Sequence, residues 1–353
     1  MVNNIIIMAG GAGKRLWPAS VKKHPKQFLK VSGNKTLFLT TLERAFDLGI
    51  TGLIYIITHE GHVELAEAEC AHLDAEHQSR VVIVGEPIAR NTAPALALAA
   101  SRISLDGRLE ETCLVMAADH IISPIAAFKA SVEKASFEAM KGFIVPYGIV
   151  PQDAATGYGY IEAGNMAGEG FEVLSFREKP DIQTAKQYVS SGRHYWNAGM
   201  FTYRNDVFLS ELSSCAPELR GLFTHPKEEW FEKVTRHGIR TYLPNEKLVK
   251  IYKKCPGISV DYAVMERSNK IRMVKSEFEW NDIGSWDVIA DIAPSSDVPV
   301  YSYDSKGNFV YSDRPVALCG VENLLVVVAN NRVLICRKGR SQLVKEAAEE
   351  DLD

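Results

Sequence analysis

Between Met1 and Leu42 the chain carries no aspartate and no glutamate. Other things are missing as well. The six cysteines (Cys70, Cys113, Cys215, Cys255, Cys319 and Cys336) form no CxxC pair, which argues against a zinc site or a disulfide framework and for reduced thiols. No apolar run approaches the roughly 20 residues needed to cross a bilayer. The short run Ile5–Ala9 has no basic flank before it, so a secretory leader is not expected. These absences together point to a cytoplasmic protein with no membrane partner. A formal net charge of -4 over 353 residues leaves no basic excess for nucleic acid. Hydrophobic residues make up 46% of the chain, enough for one large domain plus a small one.

The acid-free stretch does contain six lysines (Lys14, Lys22, Lys23, Lys26, Lys30, Lys35) and Arg15. They follow an apolar strand-like run, Ile5–Met8, and three glycines within four residues, Gly10, Gly11 and Gly13. Glycines let backbone N–H groups crowd a small volume, and such a concavity suits an anion. With a local excess of cations beside it, phosphate is the natural guest. Two familiar phosphate motifs are excluded. A P-loop would need glycine where Met8 stands and a hydroxyl residue where Arg15 stands, and a dinucleotide fingerprint would need a third glycine at Leu16.

Strand-like and helical patterns alternate as far as about residue 140. Strands are expected at Ile5–Met8, Leu53–Thr58, Val81–Val84, Cys113–Met116 and Phe143–Tyr147. Helices are expected at Thr36–Leu48 with Thr36 as cap, Glu60–Glu76, Thr92–Ser104 with Thr92 as cap, and Pro124–Met140 with Ser123 as cap. This alternation indicates an α/β fold with a mixed, mainly parallel sheet, whose ligands bind at the carboxyl ends of strands. The second half is less regular. Composition breaks at Ala293-Pro294-Ser295-Ser296-Asp297, which divides the chain into expected domains 1–293 and 294–353. From Val298 to Val344 short apolar strands alternate with turn residues, and an acidic helix is expected only at Leu343–Leu352. The terminal unit is therefore read as small and all-β.

Gly10-Gly11-Ala12-Gly13-Lys14-Arg15-Leu16-Trp17-Pro18-Ala19-Ser20, followed by Pro25-Lys26-Gln27-Phe28-Leu29, resembles the signature of the sugar-nucleotide pyrophosphorylases, and among them the mannose-1-phosphate guanylyltransferases. The resemblance implies a Rossmann-like nucleotidyltransferase domain, a terminal unit that can form part of a left-handed β-helix, and transfer of GMP from GTP to mannose 1-phosphate with release of pyrophosphate. A chain without the mannose-isomerase domain of the family's long form is expected. The partners implied are GTP and mannose 1-phosphate, with a homodimer open. Relatives that act on other hexose or heptose 1-phosphates, or that only sense nucleotide sugars, remain alternatives.

Further motifs follow in family order from Ile5 to Trp286. Gly85-Glu86-Pro87-Ile88-Ala89-Arg90-Asn91-Thr92-Ala93-Pro94 closes the Val81–Val84 run. A carboxylate or amide oxygen there can accept from guanine N1–H and N2–H, where adenine has no matching donors. The resemblance implies that this loop faces the base, with Glu86, Arg90, Asn91 and Thr92 joining Gly10, Gly11, Gly13 and Lys14 as nucleotide contacts. Arg15 and Lys26 are the implied catalytic cations. Asp119, just after the Cys113–Met116 run, can hold Mg²⁺, which prefers oxygen ligands. In Trp280-Asn281-Asp282-Ile283-Gly284-Ser285 the resemblance supplies a second metal carboxylate, Asp282, with Asp261 as the competing candidate. For the sugar phosphate it implies Gly157 and Glu162 in Thr156-Gly157-Tyr158-Gly159-Tyr160-Ile161-Glu162, Lys179 in Glu178-Lys179-Pro180, Asn197 in Trp196-Asn197-Ala198-Gly199, and Asp261 in Ser259-Val260-Asp261-Tyr262-Ala263.

Overall fold

A computed structural model describes residues 2–11, 13–293 and 298–350. The composition break at 294–297 and the last residues of the expected acidic helix lie outside the described residues. The chain forms two compact units, each assembled from separated segments. One comprises Met1–Gly10, Leu42–Ala117 and Ile122–Trp280, and the other Gly11–Thr41, Ala118–Ile121 and Asn281–Asp353.

The first unit is built on an 11-stranded sheet. In spatial order its strands are Phe231–Arg236, Ile239–Pro244, Val81–Glu86, Ile54–His59, Asn4–Met8, Thr112–Ala117, His194–Arg204, Val145–Ile149, Arg272–Lys275, Gly170–Arg177 and Tyr160–Ala167. The five strands from Ile239–Pro244 to Thr112–Ala117 are parallel neighbours. Beyond them His194–Arg204 pairs antiparallel on both sides, and only Arg272–Lys275 with Val145–Ile149 is parallel again. The sheet is therefore mixed, with its parallel character concentrated in one half. That half contains the apolar runs Ile5–Ile7, Ile54–Ile57 and Val81–Val84, which are wholly buried, as strands covered on both faces must be.

The alanine-rich helix Thr92–Leu105 is buried from Ala93 to Ile103. Small side chains let it lie close to its neighbours, and Asn205 Nδ2 donates to the Ala100 carbonyl at 3.0 Å. Helix Leu37–Asp47 starts as expected, with Thr36 Oγ1 accepting from Leu39 N at 3.0 Å. Three expectations are corrected. The segment Glu60–Glu76 is not one helix: Val63–Cys70 and Ala75–Ser79 are separate, because Asp74 accepts from His77 N and starts a new one. Thr92 does not cap its helix. Asn91 does, accepting from Thr92 N at 2.8 Å from a left-handed backbone. Ser123 does not cap Ile125–Met140; its hydroxyl lies 3.5 Å from Glu279.

The second unit contains the strands Val300–Tyr303, Phe309–Ser312, Val316–Cys319, Leu324–Ala329 and Arg332–Arg337. Its parallel pairings join Val300 to Val316, Lys306 to Glu322 and Phe309 to Leu325. Each residue thus meets the one sixteen positions on, the register of a coil winding back on itself, and Leu324–Ala329 and Arg332–Arg337 then close as an antiparallel hairpin. The core of this unit is shared among Leu16, Leu29, Ile283, Trp286, Phe309, Leu325 and Val344. The amino-terminal glycine segment and the terminal strands are thus parts of one packed body.

Candidate active site

Chain order carries the strands Asn4–Met8 and Thr112–Ala117, which end side by side at the pair Met8 and Ala117, into the glycine segment and into Ala118-Asp119-His120. Among the described residues no α-helix follows the glycines directly. A three-residue 3₁₀ turn, Lys14–Leu16, begins from Gly13 in the left-handed region (φ 57°). A Cβ at Gly13 would stand 2.5 Å from Lys26 Cβ and 2.7 Å from Ser20 Oγ, so any side chain would push the Lys26 backbone aside. Gly11, at φ 115°, takes a conformation that L side chains avoid. Gly10 has no such constraint. Arg15 is exposed, and Lys14 reaches Glu349 at 3.7 Å.

Lys26 is the centre of this unit's charge. Its Nζ lies 2.7 Å from Asp119 Oδ2 and donates to the Asp282 carbonyl at 2.5 Å. His120 Nε2 stands 3.9 Å from the other Asp119 oxygen. Burial pushes the Asp119 carboxyl up, but the nearby Lys26 and His120 charges and the Lys26 hydrogen bond hold it below the usual aspartate range. Asp119 is therefore anionic at neutral pH. The Asp282 carboxylate folds over Gly284, where a Cβ would meet Oδ1 at 3.3 Å, Oδ2 at 3.4 Å and Arg15 Nη1 at 3.5 Å. Ile283 between them is buried and held at φ 48°. A β-branched residue in that region is strained, and the strain lies beside a functional candidate, as strain often does.

The oxygen donors of Asp119 and Asp282 suit Mg²⁺, which takes one or two carboxylates and completes its shell with water or phosphate. Among the described residues no group of three or more His, Cys, Asp or Glu side chains could hold a metal, so no all-protein cage is built there. Asp261, the competing ligand, belongs to the first unit and is bound up with other partners.

In that first unit Lys179, Asn197 and Asp261 come together. Asn197 Nδ2 donates to Asp261 Oδ1 at 3.0 Å, and Lys179 Nζ sits 2.6 Å from Glu178 Oε1. Lys179 has a left-handed backbone, φ 44°. Burial, then the Glu178 charge, pushes Asp261 up to about 6. Burial works against the charge of Lys179, but its bond to Glu178 and the surrounding carboxylates raise its pKa. Glu178 is not among the residues expected from sequence. Its side chain is only 9% exposed, its N–H donates to Glu266, and a Cβ at Gly159 would meet its Oε2 at 2.6 Å. Its one signal is its place between the end of an alternating run and Lys179-Pro180. Glu162 is not in this group: it accepts from Ser175 at 3.0 Å and faces Arg193 at 3.4 Å. A Cβ at Gly157 would meet nothing within 4 Å. Tyr158 lies edge-on to Trp196 and Trp280.

The loop after Val81–Glu86 is tied down from inside. Tyr252, fully buried, donates its hydroxyl to Glu86 Oε1 at 3.1 Å and to the Pro94 carbonyl at 3.4 Å, and its own carbonyl accepts from Arg90 Nε at 3.3 Å. Thr92 Oγ1 accepts from Val260 N at 2.9 Å. Burial pushes Glu86 up to about 8 against the Tyr252 hydrogen bond, so at neutral pH it is largely a neutral acid. Glu86 is a buried carboxyl anchored to Tyr252. Asn91 is exposed. Tyr252 has no sequence signal beyond its helical spacing from Leu248.

Residues 4–297 match the nucleotidyl transferase family, and residues 300–350 the MannoseP isomerase/GMP-like beta-helix domain. The chain is 37% identical over 358 residues to a mannose-1-phosphate guanylyltransferase of Salmonella muenchen, covering 98% of this chain and 72% of that one. It is 36% identical over 348 residues to the xanthan biosynthesis protein XanB of Xanthomonas campestris pv. campestris strain B100, covering 97% and 71%. A crystal structure described as mannose-1-phosphate geranyltransferase from Thermus thermophilus superimposes with a TM-score of 0.82 over the whole of both chains, at 27% identity.

Proposed function

The chain belongs to the nucleotidyl transferase family and, within it, to the mannose-1-phosphate guanylyltransferases, and from that membership we propose that it transfers GMP from GTP to mannose 1-phosphate, releasing pyrophosphate. The observation that carries the reading is Lys26, held 2.7 Å from Asp119 and bonded to the Asp282 main chain in a segment without acidic residues of its own. An ammonium in that place is aimed at phosphate oxygens and is fixed before they arrive.

A phosphate monoester has its second pKa near about 6, so the sugar phosphate is largely dianionic at neutral pH and attacks without a general base. The requirement is alignment and charge neutralisation. Arg15 and the amides of Gly10–Gly13, with Lys14, would hold the β- and γ-phosphates. Lys26 would sit between the α-phosphate and the attacking phosphate, and Lys179 on the sugar phosphate. Asn197, Asp261 and Gly157 would face the sugar, and Glu86, Arg90, Asn91 and Thr92 would shape the base site. Mg²⁺, when bound, would be held by the Asp119 and Asp282 carboxylates and would draw off charge from the phosphates. We place the reaction in the cytoplasm, where nucleoside triphosphates are at hand. Among the described residues no helix is long and apolar enough to cross a membrane.

The test is pyrophosphate release with GTP, ATP, UTP and CTP, each paired with mannose, glucose and glucosamine 1-phosphates. Release is expected with GTP and mannose 1-phosphate above every other pair. Preference for another sugar would move the substrate, and no release with any pair would overturn the reading.

A further inference from the structure

The hairpin at the end of the β-coil turns on Asn330 and Asn331, both left-handed (φ 53° and 57°), between the paired residues Ala329 and Arg332. A two-residue turn of this kind accounts for asparagine at such a position. It does not account for where the side chain goes. Asn330 Nδ2 donates to the Pro18 carbonyl at 2.8 Å and approaches the Ala19 carbonyl at 3.3 Å. Beside it the fully buried Trp286 donates Nε1 to the Trp17 carbonyl at 2.9 Å. Three consecutive carbonyls of the signature segment thus take their donors from the carboxy-terminal part of the same unit.

We propose that Asn330 is a positioning residue for the transfer step, pinning from the last hairpin the backbone that carries Arg15 and Lys26. The path is short and contiguous. Pro18, Ala19 and Ser20 are buried. Ser20 N donates to the Leu16 carbonyl at 2.9 Å, and Ser20 Oγ and Lys26 Cβ close on Gly13 with no space for a side chain. A shift of the Trp17–Ala19 backbone must therefore be passed on through Ser20 and Gly13 to Lys26, whose ammonium has to keep its place beside Asp119 and the Asp282 carbonyl. Misplacement on the order of 1 Å can cost up to about 100-fold in rate. The terminal hairpin then serves the chemistry through this pin. The proposal rests on the reading that Arg15 and Lys26 act on the phosphates.

Asn330→Gly separates the turn from the pin, because glycine accepts the left-handed backbone and removes only the amide. Asn330→Asp keeps shape and turn but sets an acceptor against two carbonyls. The expected result is a fall in kcat of about tenfold for Asn330→Gly and more for Asn330→Asp. KM for GTP and for mannose 1-phosphate should stay within about twofold, and the thermal midpoint of Asn330→Gly should be nearly unchanged. In a Lys26→Met background, Asn330→Gly should add almost nothing, since both act through one ammonium. An unchanged kcat in Asn330→Gly, or a loss that simply follows a fall in folded fraction, overturns the proposal. Lys26→Met, measured alongside, tells the two failures apart. If it leaves turnover intact, the reading of the segment is wrong. If it abolishes turnover while Asn330→Gly does not, the segment reading stands and the pin is wrong.

Discussion

Lys26 and Lys179 are both lysines placed beside carboxylates, yet their surroundings differ in sign and depth. Lys26 has a side chain only 12% exposed and is held by one carboxylate and one carbonyl in a segment whose other charges are basic. Lys179 is 60% exposed and leans on Glu178, with Asp261 and Glu266 close by. The first setting is cationic apart from the two aspartates that fix it, and suits the dense charge of reacting phosphates. In the second, carboxylates outnumber the cation. Carboxylates and an amide accept from and donate to hydroxyls well, so this setting suits a sugar, with Lys179 the cation offered to its phosphate. The same residue type therefore belongs to two kinds of recognition, and the neighbours decide which.

The comparison breaks or sharpens first at Lys26. Lys26→Met should lower kcat by about 100- to 1,000-fold, the scale of losing one preorganised donor to developing charge, while GTP binding followed by calorimetry falls far less. Comparable losses in kcat and in GTP affinity would make Lys26 an ordinary binding group and erase the distinction.

A smaller effect is expected at Lys179. Lys179→Met should raise KM for mannose 1-phosphate by about tenfold and leave GTP affinity nearly unchanged. Arginine at 179 should rescue incompletely, because a planar fork does not occupy the place of a compact ammonium bonded to Glu178. Loss of GTP binding in this variant would reverse the assignment of the two lysines.

The smallest effect concerns stability and tests the acid excess around Lys179. Asp261 faces Glu178, Lys179 and Asn197, and is pushed up to about 6. A carboxyl raised on folding stabilises the native state while it keeps its proton and loses that contribution as pH rises through the folded value. Asp261→Asn keeps an oxygen for Asn197 and carries no charge. Its thermal midpoint should exceed that of the parent at pH 8, and the gap should close as pH falls through about 6. A constant gap across that range would show that crowding of carboxylates does not govern the site.

How far this was legible beforehand varied with how local the cause was. The strands Ile54–His59, Val81–Glu86 and Thr112–Ala117 lie where apolar runs and flanking turns placed them, since a buried parallel strand declares itself by continuous hydrophobicity. The break at Asp74 and the cap at Asn91 escape a reading of the sequence, because several polar residues compete for each helix start and the backbone angle chooses among them. Glu86 looks like a free acceptor at a strand end, and its pairing with Tyr252, 166 residues away, cannot be seen from either segment.

By itself the amino-acid sequence determined the α/β class, the glycine segment with its cations, and the membership of Arg15, Lys26, Asp119 and Asp282 in one ordered set of motifs, because periodicity, local charge and motif order are written along the chain. Only the tertiary structure decided that Lys26 rests between Asp119 and Asp282, that Glu86 is buried against Tyr252, and that Asn330 reaches the carbonyls of Pro18 and Ala19. Each of these depends on how far a side chain is taken from water and which distant group meets it there, and both are set by the packing of segments that the chain order keeps far apart.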